Sequence, residues 1–121
     1  MSRIVMKFGG TSVGSVDRIK NVSNIVQSVY DEGHEIVVVL SAMAGETDRL
    51  INLTKDISHD FNKEEYDVVI YSGEQVSVGL LAAALHENGI SAKSCLGWQI
   101  PIITSNDHKS ARIEGIRSDL I

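Results

Sequence analysis

The sequence predicts an α/β domain built on a mainly parallel sheet. Three observations carry this. Short runs of β-branched residues, of which Ile36, Val37, Val38, Val39 and Leu40 are the clearest, are too brief for helices. Longer stretches between them repeat their apolar residues at three- and four-residue steps. Loops of Gly, Ser, Thr and Ala join the two kinds of segment, and the alternation of strand with helix is the pattern of parallel sheets.

In chain order, residues 3–8 read as a strand, with Ile4, Val5 and Met6 in succession as suits a strand covered on both faces. Residues 9–14 form a loop. Residues 16–32 read as a helix, with Ile19, Val22, Val26 and Val29 on one face and Gly33 as its stop. Residues 35–40 are the second strand, and residues 41–46 the second loop. Thr47 is placed to cap a helix over 48–58 whose inner face would hold Leu50, Ile51, Leu53, Thr54 and Ile57. Asn62 with Glu65 three residues on resembles a capping box. It opens a helical stretch reaching about Asn88, whose row Val69, Ile70, Gly73, Val76, Leu80, Ala84 and Leu85 fits one face. Gly73 and Gly79 each cost about 1 kcal/mol relative to Ala inside a helix, so a kink or split is expected there. Residues 91–96 and 101–104 read as short strands, with a further one possible at Arg112 and Ile113. Residues 117–121 look like a helix beginning just as the chain stops, which reads as truncation.

Composition narrows the functional classes. The 121 residues suit one domain, and 43% hydrophobic residues suffice for a core. Lys and Arg total 11 against 16 Asp and Glu, a net charge of -5, which argues against nucleic-acid binding. Cys95 is the single cysteine, with no zinc-type spacing around it, and a reducing cytoplasm is the expected compartment. Lys7 and two glycines interrupt the apolar N-terminus, so no signal peptide is read there. The uninterrupted apolar runs are too short to span a membrane, and no membrane association is expected. His34, His59, His86 and His108 are scattered, so solvent contact or capping is expected of them before metal ligation, and no metal site is predicted. Trp98 and Cys95 read as packing residues.

Three segments could carry chemistry, two of them at the carboxyl ends of strands, where open α/β sheets bind ligands. The first is Lys7-Phe8-Gly9-Gly10-Thr11-Ser12-Val13-Gly14. Its glycines allow backbone N–H groups to approach an anion, and Lys7 adds a positive charge. The Lys precedes the glycines, so this is not a P-loop, and a tight turn with an exposed Lys reads equally well. The second is Ser41-Ala42-Met43-Ala44-Gly45-Glu46-Thr47-Asp48, whose hydroxyls could hold a carboxylate, although for this loop alone Thr47 as only a helix cap is the plainer reading. The third is Ser72-Gly73-Glu74-Gln75-Val76-Ser77. Glu74 shares a helix side with Ile70, Val78, Leu81 and Leu85, where a carboxylate is costly unless paired, and the small Gly73 and Ser77 would leave room for a ligand. A solvent-directed Glu is the plainer alternative. Together the segments suit an amino acid, with cationic and hydroxyl donors for its carboxylates and Glu74 for its ammonium group.

These segments, KFGGTSVG, VLSAMAGETD and SGEQVS, resemble the signature segments of aspartate kinases in the amino-acid kinase superfamily, in the same order. The segment from Gly97-Trp98-Gln99 to Ala111-Arg112-Ile113 is similar too, so the resemblance covers nearly the whole chain. It implies a three-layer αβα fold and transfer of the ATP γ-phosphoryl group to the aspartate side-chain carboxylate, the first step toward lysine, threonine and methionine. By the same resemblance Lys7 would be catalytic, and Lys7, Phe8, Gly9 and Gly10 would hold the phosphates. Ser41, Thr47 and Glu74 would bind L-aspartate, Mg²⁺ would accompany ATP, and the full-length form would be a homo-oligomer. Relatives are longer and carry a Gly-Arg-Gly-Gly-Ser-Asp-like segment that is not found here. Residues 1–121 are thus expected to be the aspartate-binding half of a catalytic domain, without the nucleotide-binding half or regulatory domains, and with little activity alone. Two alternatives stay open: a kinase of another small acid in the superfamily, and a non-catalytic fragment acting as a binding or assembly module.

Overall fold

A computed structural model describes residues 1–121, the side chain of Leu120 excepted. Strand β1 (Arg3–Phe8) leads through a 3-10 turn (Gly10–Val13) into helix α1 (Val16–Asp31), and the chain returns as β2 (Glu35–Leu40). Helices α2 (Glu46–Ile57) and α3 (Lys63–Glu87) follow, then β3 (Ile102–Thr104), β4 (Ile113–Ile116) and a second 3-10 turn (Ser118–Leu120). β1 and β2 pair in parallel, Arg3 opposite Glu35 through Phe8 opposite Leu40, so Ile4, Met6, Phe8, Ile36, Val38 and Leu40 share one face.

That face carries the core. Met6, Phe8, Ile36, Val38 and Leu40 pack on a buried cluster of Val13, Ile19, Val22, Val26, Leu81, Leu85 and Ile90 contributed chiefly by α1 and α3. The opposite face is open, with Val5 66% and Val39 46% exposed. The described chain therefore forms two layers where three were expected. The sheet is also less parallel than expected. β3 and β4 pair antiparallel in a separate ribbon, with an irregularity between Ile103 and Thr104.

α1 ends as its sequence predicts, with Glu32 as the C-cap and Gly33 left-handed at φ 86°. Ser15 caps its start by accepting from the Arg18 N–H at 3.3 Å. α2 departs from expectation at its start. Gly45, left-handed at φ 79°, is the N-cap, and Thr47 lies inside the first turn. Only Leu50 and Thr54 of α2 are buried, whereas Leu53 and Ile57 are exposed. A helix that meets the rest of the chain along one neighbouring helix buries a narrow i, i+4 stripe.

α3 runs unbroken through Gly73 and Gly79 for 25 residues and is not split there. Asn62 caps it, its side-chain oxygen accepting from the Glu64 and Glu65 N–H groups at 2.8 and 3.1 Å. Its buried row is Gly73, Ser77, Leu81 and Leu85, and the expected members Val76 and Leu80 are exposed. By length and composition alone α3 is long and apolar enough to cross a membrane, although its uninterrupted apolar runs are short. Because it is apolar nearly all round, periodicity does not choose its inner face, and the closest approach of its neighbours does. At its end the Asn88 side-chain amide donates to Ser23 Oγ at 3.3 Å and Asn24 Oδ1 at 3.2 Å, tying α3 to α1.

Residues 91–96, expected as a strand, have no regular structure. They line a cleft of about 810 Å³ opposite β2 without pairing to it. The ribbon is held to α3 by His108, whose Nδ1 lies 2.7 Å from Asp67 Oδ2, and by Lys109, whose ammonium sits 4.2 Å from the Tyr66 ring centre. The end of the chain forms the second 3-10 turn in place of the expected helix start.

Candidate active site

The site grows from the carboxyl ends of β1 and β2. The ladder runs one residue past the strands, where the Ser41 N–H donates to the Phe8 carbonyl at 3.2 Å. The two loops beyond then bond directly, the Ala44 N–H donating to the Gly10 carbonyl at 3.1 Å. Gly10 is small because the loops touch. A Cβ there would lie 3.0 Å from the Ala42 carbonyl oxygen. Gly9 is different, since a Cβ on it would meet nothing within 4 Å. Its side of the loop is open, and it caps the 3-10 turn with no side chain competing for the turn's first N–H groups. An anion can approach such a backbone corner closely. The turn is steadied by the Ser12 N–H bonding the Gly9 carbonyl at 3.0 Å and by Arg18 Nη1 donating to the Thr11 carbonyl at 3.1 Å.

Lys7 lies next to this corner, near the end of β1 and opposite Val39 in the ladder. It is exposed, on the sheet face that no helix covers, and has no ion-pair partner among the described residues.

The second loop is held from beneath by α3. Ala42 is buried, and a Cβ on Gly73 would stand 3.1 Å from the Ala42 Cβ and 3.3 Å from Leu50 Cδ1. Ser77, fully buried, donates its hydroxyl to the Ser41 carbonyl at 2.8 Å. Gly73 and Ser77 are thus filled contact positions, not the room for a ligand that the sequence suggests. Small residues four apart on a helix mark a close approach of backbone, and that spacing is the signal that identifies them.

Ser41 and Thr47 are both half-buried at the two ends of this loop, Thr47 in the first turn of α2, where backbone N–H groups point outward. Glu46 beside it is bound by Arg49, which donates through Nε at 2.9 Å and Nη2 at 2.7 Å. These bonds hold the Glu46 carboxyl below its ordinary range and raise the Arg49 guanidinium. The pair neutralises itself and leaves the loop without net charge there.

Glu74 is half-buried one turn before Ser77 and lines the cleft beside β2 with Val37, Val39, Val78 and Leu81. The predicted apolar surroundings are therefore present. Lys7 and Glu74 form no ion pair with each other among the described residues. The structure brings together the Gly9–Gly10 corner, Ser41 and the α3 segment through direct bonds, with Lys7 and Thr47 on the flanks.

The amino acid kinase family matches residues 2–121. An aspartokinase of Geobacillus stearothermophilus is 51% identical over 116 residues, covering 96% of this chain and 28% of its own length. An aspartate kinase of Pseudomonas fluorescens is 50% identical over 127 residues, covering 99% of this chain and 31% of its own. Aspartokinase 2 of Bacillus subtilis is 46% identical over 121 residues, covering 100% and 30%. The chain thus spans less than a third of the length of these curated relatives. Among solved structures, aspartate kinase from Synechocystis superposes with a TM-score of 0.68 at 45% identity, over 69% of this chain and 14% of that one. By the family match over nearly its whole length and by these relatives, the chain belongs to the amino acid kinase family.

Proposed function

We propose that the chain is the amino-acid-binding part of an aspartate kinase, which transfers the γ-phosphoryl group of ATP to the side-chain carboxylate of L-aspartate. The observation that carries the reading is the convergence of three distant segments at one end of the parallel pair. The Ala44–Gly10 bond at 3.1 Å joins the first two, and the Ser77–Ser41 bond at 2.8 Å joins the second to the third.

In this reading Phe8, Gly9 and Gly10 present backbone to the phosphates, and the exposed Lys7 ammonium neutralises charge on the group in transfer. ATP, with Mg²⁺, supplies the phosphoryl group. In this reading the fit of the chain is to the phosphates, and Mg²⁺ would arrive on the nucleotide. Ser41 and Thr47 donate to the aspartate carboxylates, and Glu74 pairs with the ammonium group. A carboxylate with an ordinary pKa of about 3.9 is ionised at neutral pH, so the chain need supply no base. Its work is positioning and charge stabilisation.

Amide NMR titration of the chain with L-aspartate, then L-glutamate, tests this. Saturable shifts at Ser41, Thr47 and Glu74 from aspartate are expected, with a much weaker response to glutamate and loss of both in Glu74→Ala. No response to aspartate, or an equal response to both acids, would refute the assignment. In the longer protein containing this chain, Lys7→Ala should abolish aspartyl phosphate formation with aspartate binding retained.

A further inference from the structure

Resting on that function, we propose that Ser77 is a positioning residue, which fixes the substrate loop at Ser41 and sets its distance from Glu74. A hydroxyl with no exposed surface in the row Gly73, Leu81, Leu85 is costly unless bonded. Helical hydroxyls ordinarily satisfy themselves on the preceding turn of their own helix. Four others in these helices do so. Ser23 donates to the Lys20 carbonyl at 2.7 Å, Ser28 to Ile25 at 2.8 Å, Thr54 to Ile51 at 2.8 Å and Ser72 to Val69 at 2.7 Å. Ser77 has that same local acceptor in the Glu74 carbonyl at 3.1 Å, yet its shorter contact, 2.8 Å, crosses 36 residues to Ser41.

The recipient matters. Ser41 is the first residue beyond β2, and its N–H is already held by the Phe8 carbonyl at 3.2 Å. With its carbonyl held by Ser77, both peptide groups of Ser41 are fixed, one by the sheet and one by α3. The direction of its Cα–Cβ bond follows from that. Glu74 lies three residues before Ser77 on the same rigid helix. One hydrogen bond therefore sets the spacing between a donor for the substrate carboxylate and the acceptor for its ammonium group. Gly73 permits the approach, since even one methyl there would stand 3.1 Å from Ala42 Cβ.

The test compares wild type with Ser77→Ala in the full chain by amide hydrogen exchange and aspartate titration. Exchange at the Ser41 and Ala44 amides should quicken by roughly tenfold, the order set by losing one buried hydrogen bond, while Val37, Val38 and Leu85 keep their rates. Aspartate affinity should weaken by roughly the same factor. Unchanged loop exchange overturns the proposal. So does a uniform quickening across the core, which marks a general loss of stability, or a loosened loop with undiminished aspartate affinity. Should the alanine variant not fold, Ser77→Cys, close in shape but a weaker donor, carries the same comparison and should give an intermediate effect. A wild-type chain indifferent to aspartate sinks the proposed function, while the exchange comparison still decides whether Ser77 holds the loop.

Discussion

Gly73 and Gly79 offer an internally controlled test of how tightly the site loop rests on α3. Both lie within the same helix, and neither has positive φ. Replacing either with Ala gains about 0.5–1 kcal/mol of helix propensity. At Gly79 the new Cβ meets nothing within 4 Å, so the gain should appear undiminished. At Gly73 it lands 3.1 Å from Ala42 Cβ and 3.3 Å from Leu50 Cδ1. Leu50 can turn its side-chain end aside, but Ala42 is a buried part of the loop and must move with its backbone. Overpacking of this kind costs about 1–3 kcal/mol. Gly73→Ala should therefore be less stable than Gly79→Ala by about 1–3 kcal/mol. For a chain of this length that corresponds to roughly 3–6 °C in Tm per kcal/mol. Urea unfolding followed by far-UV circular dichroism measures the difference directly. Equal stabilisation by the two substitutions would refute the close packing of loop on helix, and with it the geometry on which the site assignment rests.

Two further outcomes are expected. Asn62→Ala removes the acceptor of the Glu64 and Glu65 N–H groups and should lower stability by about 1 kcal/mol, with Asn62→Asp restoring most of it, read from the same urea midpoints. Glu46 responds to acid in a defined direction. Arg49 depresses its folded-state pKa below the ordinary 4.5, so the stabilisation is present above that value and is lost as pH falls through the depressed folded value. The wild type should therefore lose more stability than Glu46→Gln between neutral pH and roughly pH 3, and the difference should shrink in high salt because the Arg49 side of the pair is exposed to solvent. Urea midpoints at the two pH values decide it, and parallel losses in both proteins would contradict the ion pair.

Much of this protein was determined by sequence alone, because the forces concerned are local. β1, α1 and β2 occupy nearly the positions their periodicity dictates, and Gly33 ends α1 in the left-handed conformation that glycine favours. The two strand-end loops and the segment around Glu74 were legible as motifs, since short residue patterns persist wherever the chain carries them. What tertiary structure decided was non-local. α3 is apolar almost all round, so the row Gly73, Ser77, Leu81 and Leu85 was selected by how closely the site loop and α1 approach it, not by period. The cap of α2 went to Gly45 and not Thr47 because the loop must turn back after meeting Gly10, which demands positive φ one residue before the helix. Residues 91–96 read as a strand between Gly89 and Gly97, but they carry no β-branched or aromatic residue, and a strand exists only where a partner completes its hydrogen bonds, which they lack. The same reason governs the site. Sequence names Lys7, Ser41, Thr47 and Glu74, but only the fold shows that a buried hydroxyl, Ser77, bonds the loop bearing Ser41 to the helix bearing Glu74.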